Sequence, residues 1–522
     1  MSAIVLINPH WYMIEGNLDD LWLPVPNGLA SLAAALRAQG HAVTIVDALA
    51  EGYDCREWIE RDGRQFCRVG LAEEALAEKL ARSGARVVGI GNMFTAVFSG
   101  SAECAAIAHR ALPAARVVLG GVHPSCVPEE AAGLPGVDYV VCGEGEAAFP
   151  NLVRHWDDPV GQAMPPGVFW REAGGIRNSG APEPIADLDA LPPMAYDLLD
   201  MPRYREAAAA DLISRGEKGT FTMPIITSRG CPYGCIFCAA YRLNGRRWRG
   251  RSPGRVVDEI ELLQKRYGVN SFTIEDSNFS YDEDRAVAIC EEIVRRGLRI
   301  RWNTPNGLRA DRITPRLADA MRSAGCYEIT LAAEHGDQRF LTEVVRKGLN
   351  LEDIFRAGAI ARRAGMAVSC FLMMGFPGET GREVAATARF GRRLAAAGIF
   401  PLFFIAAPFP GTALRELFVQ QGALPAAAAP EEYLSSFRVP MMRLPAGLDL
   451  PARRHRAMWR AYLLFLLCHP VAALRLPALR KLLASLISPR TSWLTFKKLY
   501  NQFWLKSGAG AAPTPKTGTG EG

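Results

Sequence analysis

Apolar runs of strand length alternate with amphipathic stretches of helical length over the first 150 residues. The apolar runs are residues 4–7, 43–46, 87–90, 116–119 and 139–141, and the helical stretches between them include 29–38, 71–81 and 102–111. Strand patterns that alternate with helical patterns are typical of βαβ units, which build parallel sheets. We therefore expect residues 1–150 to form a Rossmann-like α/β domain, a doubly wound sheet of five parallel strands with helices on both faces.

A second series of strand and helix patterns begins near residue 223. Its strands are predicted at 224–227, 271–275, 300–304, 328–332, 368–373 and 401–406, each followed by a helical pattern. Six such units predict a partial (β/α)6 barrel of the TIM type over residues 223–422, with functional side chains just after the strands. Between the two series, residues 151–222 contain Pro- and Gly-bearing pieces that indicate a linker with a small hairpin.

The C-terminal pattern is different. Residues 423–506 are basic and amphipathic, which predicts a helical cap, and residues 507–522 are rich in Gly, Ala, Pro and Thr, which predicts a disordered tail. The longest apolar run there is broken by His469 and Pro470, well short of the roughly 20 residues that span a bilayer. The basic helices offer a peripheral contact with anionic lipid.

Composition narrows the class of protein. A chain of 522 residues with 49% hydrophobic composition is long enough for two or three packed domains. The net charge of +6 is dispersed, so we expect no nucleic-acid partner. Most of the twelve cysteines stand alone in apolar segments, which favours reduced thiols over a disulfide framework. The first residues lack a secretory pattern, and we expect a cytoplasmic protein.

Three cysteines follow the first barrel strand at close spacing. Cys231, Cys235 and Cys238 lie on one short loop at the predicted mouth of the barrel. A [4Fe-4S] cluster usually takes four thiolates, so three cysteines leave one iron able to bind another ligand. The alternative is structural zinc, which normally takes four ligands, and no further His or Cys follows before Cys290.

This loop resembles the signature of the radical S-adenosylmethionine (SAM) superfamily. That signature is Cys-x-x-x-Cys-x-x-Cys with an aromatic residue before the last cysteine, and Phe237 stands at this position. The resemblance implies that Cys231, Cys235 and Cys238 bind the cluster metal and act in catalysis, with SAM on the open iron and Phe237 against adenine. One electron from the cluster would then split SAM to a 5′-deoxyadenosyl radical.

The same resemblance assigns side chains at other strand ends to SAM. The residues that it implies are Glu275, Asp276, Glu334, Gly375, Gly378 and Glu379. The alternative for each carboxylate is a surface residue at a strand end, and the alternative for Gly375–Glu379 is a plain β-to-α loop.

Loops at the carboxyl edge of the N-terminal sheet should rim one crevice. The segments Leu119-Gly-Gly-Val-His-Pro-Ser and Val137-Asp-Tyr-Val-Val-Cys-Gly-Glu-Gly-Glu look like the N-terminal domain of cobalamin-binding radical SAM proteins, the group that contains the anaerobic magnesium-protoporphyrin ester cyclase. The resemblance covers roughly residues 1 to 420. The cobalamin contacts that it implies are Asn8, Asn92, Gly120, Gly121, His123, Gly143, Glu144 and Gly145.

The crevice departs from better-known cobalamin domains in one respect. Asn8-Pro-His stands where other domains have Asp-x-His-x-x-Gly, so a cobalt-bound histidine is not expected. His10 and His123 remain candidate cobalamin contacts, but the residues favour solvent-exposed loop histidines. We interpret Gly120 and Gly121 as places where the backbone approaches the cobalamin tail. A flavodoxin-like domain that has lost its ligand is the alternative.

Four arginines, Arg246, Arg247, Arg249 and Arg251, surround Trp248 shortly after the cysteines. Contact with an anionic substrate or a corrin side chain is one interpretation. The other, which the residues favour, is a solvated basic face.

The resemblance as a whole implies methyl transfer from SAM, through cobalamin, to an unactivated carbon or phosphorus. The acceptor would be a small molecule, either a secondary metabolite or a lipid-like compound. An electron donor such as flavodoxin or ferredoxin would reduce the cluster. Two alternatives remain: a cobalamin-dependent radical oxidative cyclase or rearrangement enzyme, and a non-catalytic cobalamin or redox sensor.

Overall fold

Two parallel sheets organise the chain. The computed structural model describes residues 2–14, 18, 21–61, 63–210, 220–424, 430, 433 and 449–469. Residues Met1–Cys468 form one compact unit. The predicted tail and most of the predicted cap lie outside the described residues.

The N-terminal sheet has seven strands. The strands of this part of the chain are β1 (Ala3–Asn8), β2 (Trp11–Ile14), β3 (Ala42–Asp47), β4 (Arg56–Arg61), β5 (Arg64–Val69), β6 (Val87–Asn92), β7 (Arg116–Gly121), β8 (Tyr139–Val141), β9 (Val168–Glu172) and β10 (Gly175–Asn178). The sheet order is β10-β9-β8-β7-β6-β1-β3, and β8, β7, β6, β1 and β3 are parallel. These are the five predicted strands, so the doubly wound α/β prediction is confirmed.

Helices cover both faces of this sheet. They are α1 (Asn27–Ala38), α2 (Ala48–Glu51), α3 (Glu73–Ser83), α4 (Phe98–Ala111), α5 (Val122–Cys126), α6 (Pro128–Ala132), α7 (Gly145–Asp157) and α8 (Met201–Ala210). Alternate residues of β1 enter different cores: Val5 and Ile7 pack with α3 and α4, and Ile4 and Leu6 pack with α1 and α7. This alternation is the reason that the strand is apolar throughout.

The segment after the sheet differs from a simple linker. Helix α7 continues past residue 150, where the sequence predicts a boundary, and the hairpin β9–β10 adds to the sheet antiparallel to β8. The hairpin is therefore part of the N-terminal sheet.

A small antiparallel sheet, β2-β5-β4, was not predicted. Strand β4 has the sequence Arg-Glu-Trp-Ile-Glu-Arg, in which charged residues interrupt the apolar positions. Trp11, Met13, Cys67 and Val69 are buried together on one side of this sheet. Charged and polar residues in β4 and β5 break up the continuous apolar runs from which the other strands were recognised.

The second large sheet is a six-stranded partial barrel. The strands of this part are β11 (Thr222–Ile225), β12 (Ser228–Arg229), β13 (Arg249–Gly250), β14 (Ser271–Ile274), β15 (Arg301–Leu308), β16 (Cys326–Glu334), β17 (Ala367–Met374) and β18 (Phe400–Ile405). The order β11-β14-β15-β16-β17-β18 is parallel throughout. All six predicted barrel strands are present, while β12 and β13 form a separate two-residue ladder.

Helices follow the barrel strands. They are α9 (Ala240–Asn244), α10 (Pro253–Tyr267), α11 (Glu283–Arg295), α12 (Pro315–Ser323), α13 (Gln338–Phe340), α14 (Leu351–Arg363), α15 (Gly381–Ala396), α16 (Ala413–Gln420) and α17 (Leu450–Cys468). Their starts follow from local sequence. Ser252 caps α10 with Pro253 at its first position, and Thr380 and Glu383 form a capping box on α15.

The described part of the predicted cap is mainly α17, which packs on α15 and β18. The ring of Tyr462 stacks on that of Phe400 with centroids 4.6 Å apart. Within the described residues, no helix is both long and apolar enough to cross a bilayer.

Candidate active site

The three predicted cluster ligands lie on one loop, residues 230–248, which we call the cluster loop. The ladder β12–β13 closes its base. Cys231, Cys235 and Cys238 are free, half-buried thiols. The N–H of Cys231 donates to the carbonyl of Gly245 (3.4 Å), and that of Ile236 donates to Val345 O (3.2 Å), which fixes the loop on the barrel.

The thiols suit an iron–sulfur cluster. Burial raises the pKa of Cys238 to about 11, and the charges of Cys235 and Cys231 act in the same direction. Among the described residues, no three His, Cys, Asp or Glu side chains converge on a single ion. A cubane cluster takes each thiolate on a different iron, so the three thiols of this loop can hold three irons and leave the fourth open, whereas structural zinc normally takes four ligands.

Asp276 follows β14 and is buried, but its carboxylate is used within the protein. Oδ1 accepts from the N–H of Thr227 (2.6 Å), and Oδ2 accepts from the hydroxyls of Thr227 (2.5 Å) and Ser228 (2.6 Å). Asp276 therefore fixes the chain just before the cluster loop rather than presenting a free carboxylate. Its neighbour Glu275 is half-buried, and its N–H extends the ladder to Ile225.

Glu334 ends β16 in a left-handed conformation with φ of 68°. A bulge in the pairing with β17 falls at the same place. Such backbone is uncommon outside glycine and tends to occur at functional sites. The carboxylate accepts from Lys347 Nζ at 2.8 Å, and both side chains are buried.

Sequence reasoning missed Lys347 and Arg309. Burial opposes protonation of Lys347, but Glu334 and Cys235 outweigh it and raise its pKa. The guanidinium of Arg309 lies 3.8 Å from the centroid of the Tyr233 ring on the cluster loop. Lys347 lies in a loop without a motif, so the sequence offers no signal for it.

The Gly375–Glu379 turn follows β17. Gly375 and Gly378 have φ of 96° and 75°, where other residues would be strained. Glu379 accepts from the N–H of Gly375 and from that of Phe376 (3.0 Å), and its other oxygen lies 3.2 Å from His335 Nε2. Its carboxylate is thus engaged in holding the turn closed.

Phe237 lies beside this turn. Its ring centroid is 6.3 Å from that of Phe376, in an edge-on arrangement. The structure therefore brings the residue before Cys238 next to the turn after β17.

Unsatisfied polar groups lie at neighbouring barrel strands. Both amide atoms of Asn278 and the hydroxyl of Thr304 are buried without a hydrogen-bond partner among the described residues. Buried polar groups are usually paired, so these atoms suit the polar parts of a bound cosubstrate. They were not recognised from the sequence.

The N-terminal crevice has two similar groups. Oδ1 of Asn92 and Nε2 of His123 are buried and lack partners among the described residues, and they follow the neighbouring strands β6 and β7. Burial, with a contribution from Arg415, lowers the pKa of His123 to about 4. A neutral imidazole and an amide oxygen fit contacts with the amide-rich side chains of cobalamin.

The expectation that His10 and His123 are solvent-exposed was wrong, because both residues are buried. Nε2 of His10 lies 3.1 Å from Glu103, and Nδ1 lies 3.6 Å from the sulfur of Cys104. With both ring nitrogens engaged, His10 is not available to cobalt. Asn8 is engaged as well, because its amide donates to Asp47 at 2.8 Å.

Gly121 also has a structural reason to be glycine. It has φ of 112°, and an added Cβ would lie 2.1 Å from the carbonyl oxygen of Asn92. At Gly120 the nearest atom would be Val141 O at 3.3 Å. Strand packing alone therefore requires glycine at position 121.

Glu144 is not free to contact a corrin. Its carboxylate accepts from both terminal nitrogens of Arg249, at 2.6 and 2.9 Å, and both side chains are buried. Gly143, with φ of 76°, and Gly145 flank it. Arg249 is consequently not part of a solvated basic face, whereas Arg246 and Arg247 are exposed.

The crevice loops touch the cluster loop. Helix α5, which follows β7, packs against α9, which follows Cys238. An added Cβ on Gly143 would lie 3.6 Å from Leu243 O, and the hydroxyl of Tyr241 donates to Gly411 O at 3.1 Å. The carboxyl edge of the N-terminal sheet thus faces the mouth of the barrel.

Known proteins share this arrangement. Residues 225–391 match the radical SAM superfamily, and residues 23–153 match the B12 binding domain. The chain is 30% identical to the cytidylyl-2-hydroxyethylphosphonate methyltransferase of Streptomyces wedmorensis over 86% of this chain and 87% of that protein. It is 31% identical to an uncharacterized methyltransferase of Pyrococcus horikoshii, over 76% and 79% of the two chains.

Solved structures agree on the fold. The radical SAM methyltransferase TsrM from Kitasatospora setae, with cobalamin and a [4Fe-4S] cluster bound, superposes with a TM-score of 0.65 at 22% identity, covering 88% of this chain and 91% of that one. The predicted cofactors, SAM, cobalamin and a [4Fe-4S] cluster, are those of this group. The chain therefore belongs to the family of cobalamin-binding radical SAM enzymes, which includes cobalamin-dependent methyltransferases.

Proposed function

We propose that this enzyme transfers a methyl group from SAM to an unactivated carbon or phosphorus of a small molecule. The observation that carries the proposal is the contact between α5 of the crevice and α9 of the cluster loop. Methyl transfer by this route needs the cluster and the cobalamin side by side. When bound, these groups supply a methyl carrier, an electron and a hydrogen-abstracting adenosyl radical.

The relatives favour methylation over cyclisation. The two methyltransferase relatives match over 87% and 79% of their own length. An anaerobic magnesium-protoporphyrin IX monomethyl ester cyclase from Rubrivivax gelatinosus is 26% identical and matches over 65% of its length. The match to these two methyltransferases is therefore higher in both identity and coverage than the match to this cyclase.

We assign the site residues as follows. Cys231, Cys235 and Cys238 hold three irons, and Phe237 lies against adenine. Glu334 and the Gly375–Gly378 backbone contact the cosubstrate, together with Glu275. Asp276 and Glu379 position these groups through their internal hydrogen bonds.

On the cobalamin side, Asn92 and His123 contact the corrin through their unsatisfied buried atoms. Asn8, Gly120, Gly121, Gly143, Glu144 and Gly145 shape the crevice. We further propose that a flavodoxin or ferredoxin supplies the electron, because Arg246 and Arg247 are exposed on the cluster loop and suit an acidic carrier.

The first experiment is anaerobic purification with cobalamin supplied, followed by iron, sulfide and cobalt analysis. About four iron and one cobalt per chain would support the cofactor model. Iron without cobalt would leave a radical enzyme and remove the proposed methyl route.

Methyl counting then tests the reaction. SAM labelled with deuterium in the methyl group would be incubated with a phosphonate, an indole amino acid or a tetrapyrrole, the acceptor classes of the relatives. A product heavier by one labelled methyl, with S-adenosylhomocysteine and 5′-deoxyadenosine, supports methylation. A product that loses hydrogen and gains no label would indicate oxidative cyclisation instead.

A further inference from the structure

Two arginines lie opposite each other at the base of the cluster loop. Arg229 in β12 pairs with Arg249 in β13, so two like charges stand directly across a two-residue ladder. Like charges in this arrangement repel. Arg229 lies only two residues before Cys231, so whatever holds this ladder also holds the loop that carries the cysteines.

Two glutamates from the crevice neutralise this pair. Glu146 Oε1 lies 2.6 Å from Nη2 of Arg229, and Glu144 Oε1 lies 2.6 Å from Nη2 of Arg249. Glu144 also bridges the two cations, because its Oε2 is 2.9 Å from Arg249 Nη1 and 3.7 Å from Arg229 Nη1. The two glutamates flank Gly145, where β8 gives way to α7.

All four side chains are withdrawn from solvent. The side chains of Glu144, Glu146, Arg249 and Arg229 are 1, 7, 4 and 13% exposed. Neutral donors complete the set: Ser31 donates to Glu146 (2.7 Å), and the N–H of Ile185 donates to Glu144 (2.8 Å). Buried ion pairs add little net stability because desolvation offsets their attraction, so a function in fixing geometry explains this set better.

We propose that Glu144, Glu146, Arg229 and Arg249, the inter-loop clamp, are positioning residues that set the separation of the cluster from the cobalamin. The clamp joins the loop bearing the three cysteines to the loop rimming the crevice. The inference rests on the proposed function in that cobalamin occupies the crevice.

The test uses Arg229→Gln in the full-length protein loaded with both cofactors. The matched control is Arg296→Gln, because Arg296 is also a partly buried arginine with carboxylate partners, and these, Asp258 and Glu261 of α10 and Glu292 of α11, all lie on barrel helices. Arg229→Lys keeps the charge and should restore part of the wild-type behaviour.

Two readouts distinguish a role in positioning the cofactors from a general effect on protein stability. The first is the magnetic interaction between Co(II) cobalamin and the reduced cluster by EPR, which depends on their separation. The second is product formed per 5′-deoxyadenosine. We expect Arg229→Gln to keep both metals, change the magnetic interaction and lower the product ratio about tenfold, while Arg296→Gln leaves both readouts unchanged.

Contrary outcomes are distinct. An unchanged magnetic interaction in Arg229→Gln that holds both metals would overturn the clamp alone. So would equal changes in Arg229→Gln and Arg296→Gln, including equal loss of iron, because these would reflect general destabilisation. A parent protein that binds no cobalt would overturn the clamp together with the proposed methyl route.

Discussion

Lys347 and Glu334 form an ion pair sealed from solvent beside the cluster loop, with Nζ 2.8 Å from Oε1 and side-chain exposures of 7 and 8%. Removing one partner of such a pair leaves a buried charge without compensation, which costs about 3–5 kcal/mol. We therefore expect Lys347→Gln to lower the free energy of unfolding by about this amount. Denaturant titration of the anaerobic protein measures it.

The double variant Glu334→Gln/Lys347→Gln is the control for this pair. It replaces both charges with neutral groups that can hydrogen-bond, so we expect it to lose less stability than Lys347→Gln alone. If the stability lost by the double variant equalled the sum of the losses of Lys347→Gln and Glu334→Gln, the two residues would not be energetically coupled. The single variant would then report another effect of Lys347.

Cysteine substitutions test the cluster ligands. Replacing Cys231, Cys235 or Cys238 with Ala removes one of three thiolates, so we expect loss of nearly all cluster absorbance and of SAM cleavage. Cys290→Ala is the matched control because Cys290 is a buried thiol in α11, away from the loop. It should keep both properties and cost about 1 kcal/mol. Full SAM cleavage by Cys235→Ala would contradict the assignment.

Much of the fold could be predicted because the strands of both parallel sheets are buried on two faces. Such strands read as continuous apolar runs, as in β1 and β17. Strand order at the carboxyl edges then brings the loops after Gly121 and Val141 together. The small sheet containing β4 escaped prediction because its pattern mixes charge with apolar residues.

The roles of individual carboxylates could not be predicted in the same way. Asp276, Glu144 and Glu379 stand at strand ends, as expected, but their oxygens bind partners distant in sequence. A strand-end position indicates nearness to the site, whereas the hydrogen-bond partners decide whether a carboxylate remains free. The glutamates at 144 and 146 and the arginines at 229 and 249 carry opposite charges, but they are distant in sequence, and only the fold shows that they pair.

Glycine at position 121 is required by the chain itself. Since its φ is 112° and an added Cβ would lie 2.1 Å from Asn92 O, we expect Gly121→Ala to lower the free energy of unfolding by about 3 kcal/mol or more. Cobalamin retention should fall together with thermal stability. Loss of cobalamin at unchanged stability would instead indicate a direct contact with the ligand.

Gly28→Ala is the matched control. Gly28 lies in α1, and an added Cβ there meets nothing within 4 Å. Alanine favours helix over glycine, so this variant should be up to about 1 kcal/mol more stable than the parent. Thermal unfolding of both variants under the same conditions makes the comparison.

His123 makes the stability of the folded protein depend on pH. Burial, and then the charge of Arg415, lower its pKa from 6.5 to about 4 in the folded chain. Between pH 6.5 and pH 4 the imidazole is protonated in the unfolded chain and neutral in the folded chain. The contribution of His123 to the free energy of unfolding is therefore complete above pH 6.5 and falls as the pH drops toward 4. The loss from this group is about 3 kcal/mol at pH 4. His123→Gln keeps a partner for Thr95 but does not titrate, so its urea midpoint should decline less over this range. Parallel declines in parent and variant would show that His123 protonates freely in the folded protein.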